Sequence, residues 1–184
     1  LLDHPGLGRA DVSSLETVLY GASPMAPSRL LEALDRIGPV FAQMYGQTEG
    51  YPLTYLTRQE HAADSPELFS SCGTATAATQ IALLDDAGQE VREGEVGEIC
   101  ARGAHIRVGY LNQPELTAET MRGGWLHTGD MARRDERGYL WLVDRKKDMI
   151  VSGGFNVYPR EVEDVLAHDP AVAQGRPRPL GGTR

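Results

Sequence analysis

Residues 15–46, "LETVLYGASPMAPSRLLEALDRIGPVFAQMYG", indicate an apolar strand, an amphipathic helix and a second apolar strand. Pro27 is tolerated in the first turn of the helix, and the pair at 38–39, Gly-Pro, ends it. Four apolar residues are predicted to share one face of this helix: Leu30, Leu31, Leu34 and Ile37. Strand, helix, strand is the pattern of a parallel crossover. It predicts an α/β layer whose ligands bind beyond the carboxyl ends of the strands.

The stretch "MYGQTEG" (44–50) lies at that carboxyl edge and combines groups that suit a nucleotide. Gly46 lets a backbone approach a ligand closely, Thr48 offers a hydroxyl to a phosphate oxygen, and Glu49 offers a hard oxygen to magnesium. Tyr45 has a ring that can stack on a base. Taken alone, the stretch fits an ordinary polar turn more readily, so other motifs have to support the nucleotide interpretation.

From about residue 73 the pattern changes to short strands separated by turns. Candidate strands at 79–86 and 94–103 are followed by a hairpin over 128–145, with a short helix at 112–121 between them. This predicts a small antiparallel barrel or sandwich. Asp130 stands at the entry to the hairpin, where it either shapes a turn or accepts hydrogen bonds from a ribose diol.

The stretch "DRKKDMIVSGGFN" (144–156) predicts a hairpin around Gly153 and Gly154, followed by a helix over 159–169. Alone, its basic run is typical of a solvated surface. Lys146 and Lys147 mark a plausible boundary. The sequence therefore predicts an α/β part over 1–72, an antiparallel β part over 73–145, the start of a small α+β domain over 146–170 and a disordered tail over 171–184.

The composition excludes several classes of protein. The 184 residues carry a net charge of −8, which argues against nucleic acid or an anionic membrane as the main partner, although a small phosphate ligand remains compatible. No apolar run approaches the roughly 20 residues of a transmembrane helix. Cys72 and Cys100 lie far apart and give no disulfide framework or zinc-ligand spacing, so we expect a reduced, cytoplasmic protein.

In combination, these motifs are much more specific. Taken in their order along the chain, five motifs resemble the adenylate-forming superfamily over roughly residues 15–173. They are YGQTEG, GEVGEICARG, GYLNQPELTAETM, GGWLHTGD and GYLWLVDRKKDMIVSGGFNVYPREVE. The last motif is most similar to the fatty-acyl or aryl-CoA synthetase branch. The resemblance implies an AMP-forming acid–thiol ligase that converts a fatty or aryl carboxylic acid and ATP into an acyl-adenylate, and then into a CoA thioester, with Mg²⁺ as cofactor.

The resemblance also implies a role for each matching residue. It places Tyr45 on adenine, Thr48 on a phosphate oxygen and Glu49 on magnesium. Asp130 and Arg145 correspond to the ribose contacts, and Lys147 to the hinge of a mobile C-terminal domain. The remaining implied positions are Ala22 and Ser23 beside the adenine, Gly46 and Gln47 in the acyl and nucleotide pocket, and Gly153 and Gly154 at the CoA tunnel.

The sequence departs from the family pattern in two respects. It contains neither the Ser/Thr/Gly-rich phosphate loop with its lysine nor the lysine near the family's C-terminus. We therefore expect a C-terminal fragment without the N-terminal half, through truncation or a frame change, that is inactive alone. Two alternatives stay open: a non-catalytic remnant that binds nucleotide weakly or associates with a full-length relative, and a fragment of an amino-acid adenylation domain.

Overall fold

The structure is a computed structural model that describes residues 1–23, 25–152 and 155–159. Its first sheet contains four strands in chain order, with α1 between the first two. β1 and β2 are parallel, and the other neighbours are antiparallel, so the predicted crossover is confirmed. The elements are β1 (Val18–Gly21), α1 (Pro27–Ile37), β2 (Phe41–Gln47), β3 (Gly50–Leu56) and β4 (Thr74–Ala75).

Helix α1 packs one face against the first sheet. Leu30 is fully buried and contacts a cluster that includes Phe41 of β2 and Phe69. Leu34 and Ile37 pack against the same cluster, as the sequence predicted. Leu31 lies at the edge of this face and is 40% exposed. Each helical residue turns about 100° from the one before, which moves Leu31 from the buried face to its edge.

The second sheet is antiparallel, in the order β5-β6-β7-β8. The mixed α/β class with an antiparallel second layer is therefore confirmed. The predicted barrel is not closed, because β5 and β8 lie at opposite edges and do not pair within the described residues. The elements are β5 (Gln80–Leu84), β6 (Gly97–Arg102), α2 (Pro114–Thr120), β7 (Leu126–Arg134) and β8 (Leu140–Arg145).

A short segment joins the two sheets. The backbone N–H of Cys72 donates to the carbonyl of Leu140 at 2.9 Å, and the N–H of Leu140 donates to the carbonyl of Gly73 at 3.0 Å. These residues border a buried cluster that includes Leu83, Ile99 and Ala132 of the second sheet, against which Tyr45 of β2 packs. The carboxyl end of β2 therefore faces the second sheet.

After β8 the chain forms a single 3₁₀ turn, Lys146–Asp148, and a hairpin of β9 (Ile150–Ser152) and β10 (Phe155–Val157). The predicted hairpin is confirmed. Its Gly153 and Gly154, the predicted helix beyond Pro159 and the predicted tail over 171–184 lie outside the described residues. The division into domains stays a prediction. Within the described ranges, neither α-helix has the length and apolarity to cross a bilayer.

Candidate functional site

Two of the predicted nucleotide-binding residues converge on the carboxylate of a third. The Tyr45 hydroxyl of β2 donates to Oδ2 of Asp130 at 2.8 Å, across the space between the two sheets. Arg145 is the register partner of Asp130 in β8, and its Nε lies 3.5 Å from Oδ1. We call Tyr45, Asp130 and Arg145 the Asp130 cluster. It brings together residues that are 85 and 15 positions apart in sequence.

Burial divides the Asp130 cluster into a fixed side and an open side. Burial, and next the charge of Asp130, raise the pKa of Tyr45 well above its ordinary value, so the phenol stays a hydrogen-bond donor. The Arg145 side chain is 63% exposed and that of Asp130 is 17% exposed. A ligand can therefore reach Asp130 and Arg145 from solvent while Tyr45 fixes the carboxylate from within.

A bulge in β7 aims Asp130 at its partners. In the pairing of β6 with β7, Glu98 lies opposite Met131 and Cys100 opposite His127, so Ile99 faces three residues, 128–130. The Thr128 hydroxyl donates to the Ile99 carbonyl at 2.8 Å and accepts the Asp130 N–H at 3.1 Å. Gly129 has φ +75, in the left-handed region that favours glycine. The sequence "HTGD" supplies each of these groups.

Ala22 and Ser23 follow β1 at the same sheet edge. Gly21 pairs in register with Met44, and a Cβ at Gly21 would lie 2.4 Å from the Met44 carbonyl oxygen. Ala22 adopts a φ of 62, and Ala22 and Ser23 are exposed. They therefore follow the strand that pairs with the end of β2, close to Tyr45. Contact with adenine stays a prediction.

Gly46 and Gln47 end β2, and the structure gives the glycine a local reason. A Cβ at Gly46 would lie 2.7 Å from the Gly50 carbonyl oxygen and 3.0 Å from the Tyr51 ring. The chain that approaches Gly46 is therefore β3, which bulges between Gly50 and Thr54. The sequence motif predicted that a ligand makes this close approach to the Gly46 backbone. The pocket roles of Gly46 and Gln47 stay predictions.

Thr48 and Glu49 form the turn between β2 and β3, and a neighbouring segment holds Glu49. Oε1 of Glu49 accepts hydrogen bonds from Arg107 Nη2 and from the Tyr110 hydroxyl, both at 2.7 Å. The Arg107 guanidinium stacks 3.4 Å from the centre of the Tyr110 ring. The backbone N–H of Arg107 donates to the Glu49 carbonyl. Thr48 is exposed. We call Glu49, Arg107 and Tyr110 the Glu49 clamp.

The Glu49 clamp keeps its carboxylate ionised. Burial acts to raise the pKa of Glu49, but the hydrogen bonds from Tyr110 and Arg107 outweigh it, and the net result is a lowered pKa. The side chain is 17% exposed, and both of these bonds end on Oε1. The carboxylate, next to Thr48 in sequence, is ionised and partly exposed, so it can hold magnesium once the ion replaces Arg107 or binds at Oε2.

A second carboxylate network lies under the bulge of β7 and was missed by the sequence analysis. Oε2 of Glu98 contacts Arg122 Nη2 and His127 Nδ1 at 3.1 Å and Lys146 Nζ at 3.2 Å. Oε1 accepts the N–H of Gly129 at 3.1 Å. The side chain of Glu98 is only 4% exposed. We call these five residues the Glu98 network.

Two members of the Glu98 network, together with Cys100, resemble a metal site in composition. Ligand atoms of Glu98, Cys100 and His127 lie within 4.8 Å of one another. Two cations, Arg122 and Lys146, already contact the carboxylate, and burial together with the charge of Glu98 raises the pKa of Cys100 to about 12. Two cations that already contact the carboxylate oppose a divalent metal, so we interpret the group as an ion-pair network.

Lys147, the predicted hinge, is exposed in the 3₁₀ turn that follows Arg145. Its neighbour Lys146 anchors that turn through Glu98 and through Asp86 at 2.6 Å. The predicted CoA-tunnel positions, Gly153 and Gly154, lie outside the described residues. The hinge and tunnel roles therefore stay predictions.

Comparison with known proteins gives consistent matches. Residues 1–111 match the family model described as AMP-binding enzyme. The medium/long-chain-fatty-acid–CoA ligase FadD8 of Mycobacterium tuberculosis is 56% identical over 175 residues, which is 95% of this chain and 30% of that protein. The amide bond synthetase McbA from Marinactinospora thermotolerans superposes with a TM-score of 0.86 at 41% identity, covering 95% of this chain and 35% of that one.

A further solved structure is of a protein with bound nucleotide. The o-succinylbenzoate CoA synthetase MenE from Bacillus subtilis, in complex with ATP and magnesium ion, superposes with a TM-score of 0.75 at 32% identity. The match covers 89% of this chain and 35% of that one. The present chain therefore spans about a third of the length of the proteins that it matches.

Proposed function

Because the chain belongs to the AMP-binding enzyme family, we propose that the Asp130 cluster holds the adenosine part of ATP or AMP. The observation that carries this proposal is the convergence of Tyr45, Asp130 and Arg145 from three strands of two sheets. A carboxylate with an exposed edge can accept both hydroxyls of a ribose, and an exposed guanidinium beside it can donate. Ala22 and Ser23 then border the adenine from the end of β1.

We propose that the turn at Thr48 and Glu49 binds the phosphates. Thr48 presents its hydroxyl to a phosphate oxygen, and Glu49 is the residue that holds magnesium. When bound, Mg²⁺ neutralises charge on the phosphates. The remaining ligands would be phosphate oxygens and water, since this ion is usually held by one or two carboxylates in nucleotide sites. About 10 Å of extended strand separates Tyr45 from Thr48, which leaves room for a ribose between them.

The longer protein implied by the relatives is proposed to be an ATP-dependent acyl-CoA synthetase. A carboxylate oxygen of the acid forms a bond to the α-phosphorus, and the bond to the bridging oxygen breaks to release pyrophosphate. The CoA thiol then displaces AMP at the acyl carbon, with loss of its proton. The acid is already ionised, so the residues described here serve to orient ATP and offset phosphate charge rather than to remove a proton.

We propose a medium- or long-chain fatty acid as the substrate class, because the relative with 56% identity is named a ligase for such acids. Aryl acids are the alternative that the name of the o-succinylbenzoate enzyme supports. Gly153 and Gly154 are proposed to line the CoA tunnel, and Lys147 to act as the hinge, on the motif resemblance alone. We also propose a reducing, cytoplasmic location, because Cys72 and Cys100 form no disulfide within the described residues.

Nucleotide binding can be tested on the 184-residue chain itself. The dissociation constants of AMP and of 2′,3′-dideoxy-AMP are measured by calorimetry for the natural chain, for Asp130→Asn and for the exposed control Asp64→Asn. We expect the natural chain and the control to prefer AMP about tenfold, as for one charge-assisted hydrogen bond of about 1.5 kcal/mol. Asp130→Asn should lose that preference.

Two results would contradict the proposal. Equal affinity of the natural chain for both nucleotides would remove the ribose contact, and an unchanged preference in Asp130→Asn would place that contact elsewhere. Adenylate formation is tested separately by pyrophosphate exchange with a panel of fatty and aryl acids. We expect no exchange from the 184-residue chain and exchange from a longer protein that contains it.

A further inference from the structure

Glu98 contacts the chain on both sides of the Asp130 cluster. Its Oε1 accepts the N–H of Gly129, the residue immediately before Asp130. Its Oε2 contacts the ammonium of Lys146, the residue immediately after Arg145. Asp130 and Arg145 are themselves register partners in β7 and β8. One buried carboxylate therefore fixes a neighbour of each residue in the proposed ribose pair.

The contact with Gly129 acts on the bulge itself. The bulge leaves one β6 residue opposite three β7 residues, so its backbone groups lack the regular ladder pairing. Glu98 supplies an acceptor for one of them, and Thr128 ties the same bulge to the carbonyl of Ile99. Without that acceptor, the Gly129 N–H would be a half-buried donor without this partner, and the bulge would relax.

The contact with Lys146 acts on β8. Lys146 also pairs with Asp86 at 2.6 Å, but Asp86 is 88% exposed, so that pair is screened by solvent. Glu98 is the buried half of the arrangement. Arg122 and His127 add two further donors to the same oxygen and fix the orientation of the carboxylate. The Glu98 carboxylate therefore holds the Gly129 N–H and the Lys146 ammonium in fixed directions from within the second sheet.

We propose that Glu98 is a positioning residue for ribose recognition: it sets the distance and angle between Asp130 and Arg145 without touching the nucleotide. A ligand can reach Asp130 and Arg145 from solvent, whereas Glu98 is only 4% exposed and is separated from that ligand. This inference rests on the proposed function of the Asp130 cluster. It goes further by giving a role in nucleotide selectivity to a residue outside that cluster.

The test compares Glu98→Gln with Glu90→Gln in the 184-residue chain. Glu90 is a suitable control because it also pairs with an arginine at the second sheet, but it is 54% exposed and distant in sequence from both ribose residues. The dissociation constants of AMP and 2′,3′-dideoxy-AMP are measured for each variant. Amide hydrogen exchange at Gly129 is measured without any nucleotide.

For Glu98→Gln we expect AMP binding to weaken about tenfold and dideoxy-AMP binding to stay within about twofold of the natural chain, since only the hydroxyl contacts depend on Asp130. The new amide keeps one acceptor oxygen, which the three donors at the Oε2 position should take, so that its NH2 group faces the Gly129 N–H. Exchange at Gly129 should then become at least about tenfold faster, as for the loss of one hydrogen bond. Glu90→Gln should change none of these. If Glu98→Gln does not fold, Lys146→Gln serves instead and should also weaken AMP selectively.

The outcomes separate this inference from the proposed function. Natural chain that prefers AMP, together with Glu98→Gln that keeps the same preference and the same Gly129 exchange, would overturn the positioning role alone. Equal weakening of both nucleotides in Glu98→Gln would also overturn it, because that is the result of general loosening. Natural chain without any preference for AMP would instead overturn the proposed ribose site, and with it the inference.

Discussion

Glu49 and Glu98 are both carboxylates that accept hydrogen bonds from arginine, yet they differ in what can reach them. Glu49 lies in a turn at the edge of the first sheet and is 17% exposed. Glu98 lies inside β6 at 4% exposure and contacts donors from three other segments. The partly exposed carboxylate of Glu49 can exchange a protein partner for a ligand. The buried one can only hold the surrounding chain in place.

The largest expected difference is in stability. Glu98→Ala removes a buried acceptor and leaves His127 and the Gly129 N–H without it, so we expect a loss of about 3 kcal/mol in the free energy of unfolding. Glu49→Ala removes a partly exposed pair and should cost about 1 kcal/mol. Urea denaturation of both variants, with Glu90→Ala as the exposed control, measures this. Equal losses in Glu98→Ala and Glu49→Ala would erase the distinction.

The next difference concerns magnesium. If Glu49 holds the ion, Glu49→Gln should reduce the gain in ATP affinity on adding Mg²⁺ about tenfold, as for one charge-assisted contact. Glu98→Gln should leave that gain unchanged even where it weakens ATP itself. Calorimetric titration of ATP with and without Mg²⁺ gives the ratio directly. A magnesium gain that survives Glu49→Gln would assign the ion to other ligands.

The smallest difference is in the response to acid. Burial acts to raise the pKa of Glu98, but His127 and Lys146 outweigh it, and the folded pKa is below the ordinary value of 4.5. Its contribution to stability is therefore present above pH 4.5 and is lost as the pH falls through the lowered pKa. The stability deficit of Glu98→Gln relative to the natural chain should shrink over that range. A deficit that is constant from pH 6 to pH 3 would contradict this.

The acid response of Glu49 should have the same sign. Its folded pKa is also below 4.5, with burial opposed by the bonds from Tyr110 and Arg107. We expect a smaller change for Glu49→Gln, because solvent screens a partly exposed pair more than a buried one. Both variants can be followed in the same series of urea titrations.

The crossover and the strands of the second sheet could be predicted because their sequence signals are local. Pro27 and the Gly-Pro pair bound α1, and glycine-containing turns separate β5 to β8. Strand β3 was missed because Pro52 lies inside it, and proline normally argues against a strand interior. The convergence of Tyr45 on Asp130 was implied only by resemblance, since 85 residues separate them.

The sequence around Glu98 contains a signal for a buried ion pair. Glu98 stands between Gly97 and Ile99 in a strand whose other residues, up to Ala101, are also buried. A carboxylate inside such an apolar run is almost always paired, so this pattern predicts buried partners for Glu98. Their identity was beyond reach, because His127 and Lys146 come from other strands and turns whose register the local pattern does not determine.

The central claim is that nucleotide binds where the Asp130 cluster and the turn at Thr48 meet. Titration of AMP into ¹⁵N-labelled chain, followed by amide chemical shifts, tests it most directly. We expect the amide shifts of Ala22, Gly46, Asp130 and Arg145 to change together with one dissociation constant. Shifts confined to other parts of the chain, or none at millimolar AMP, would contradict it.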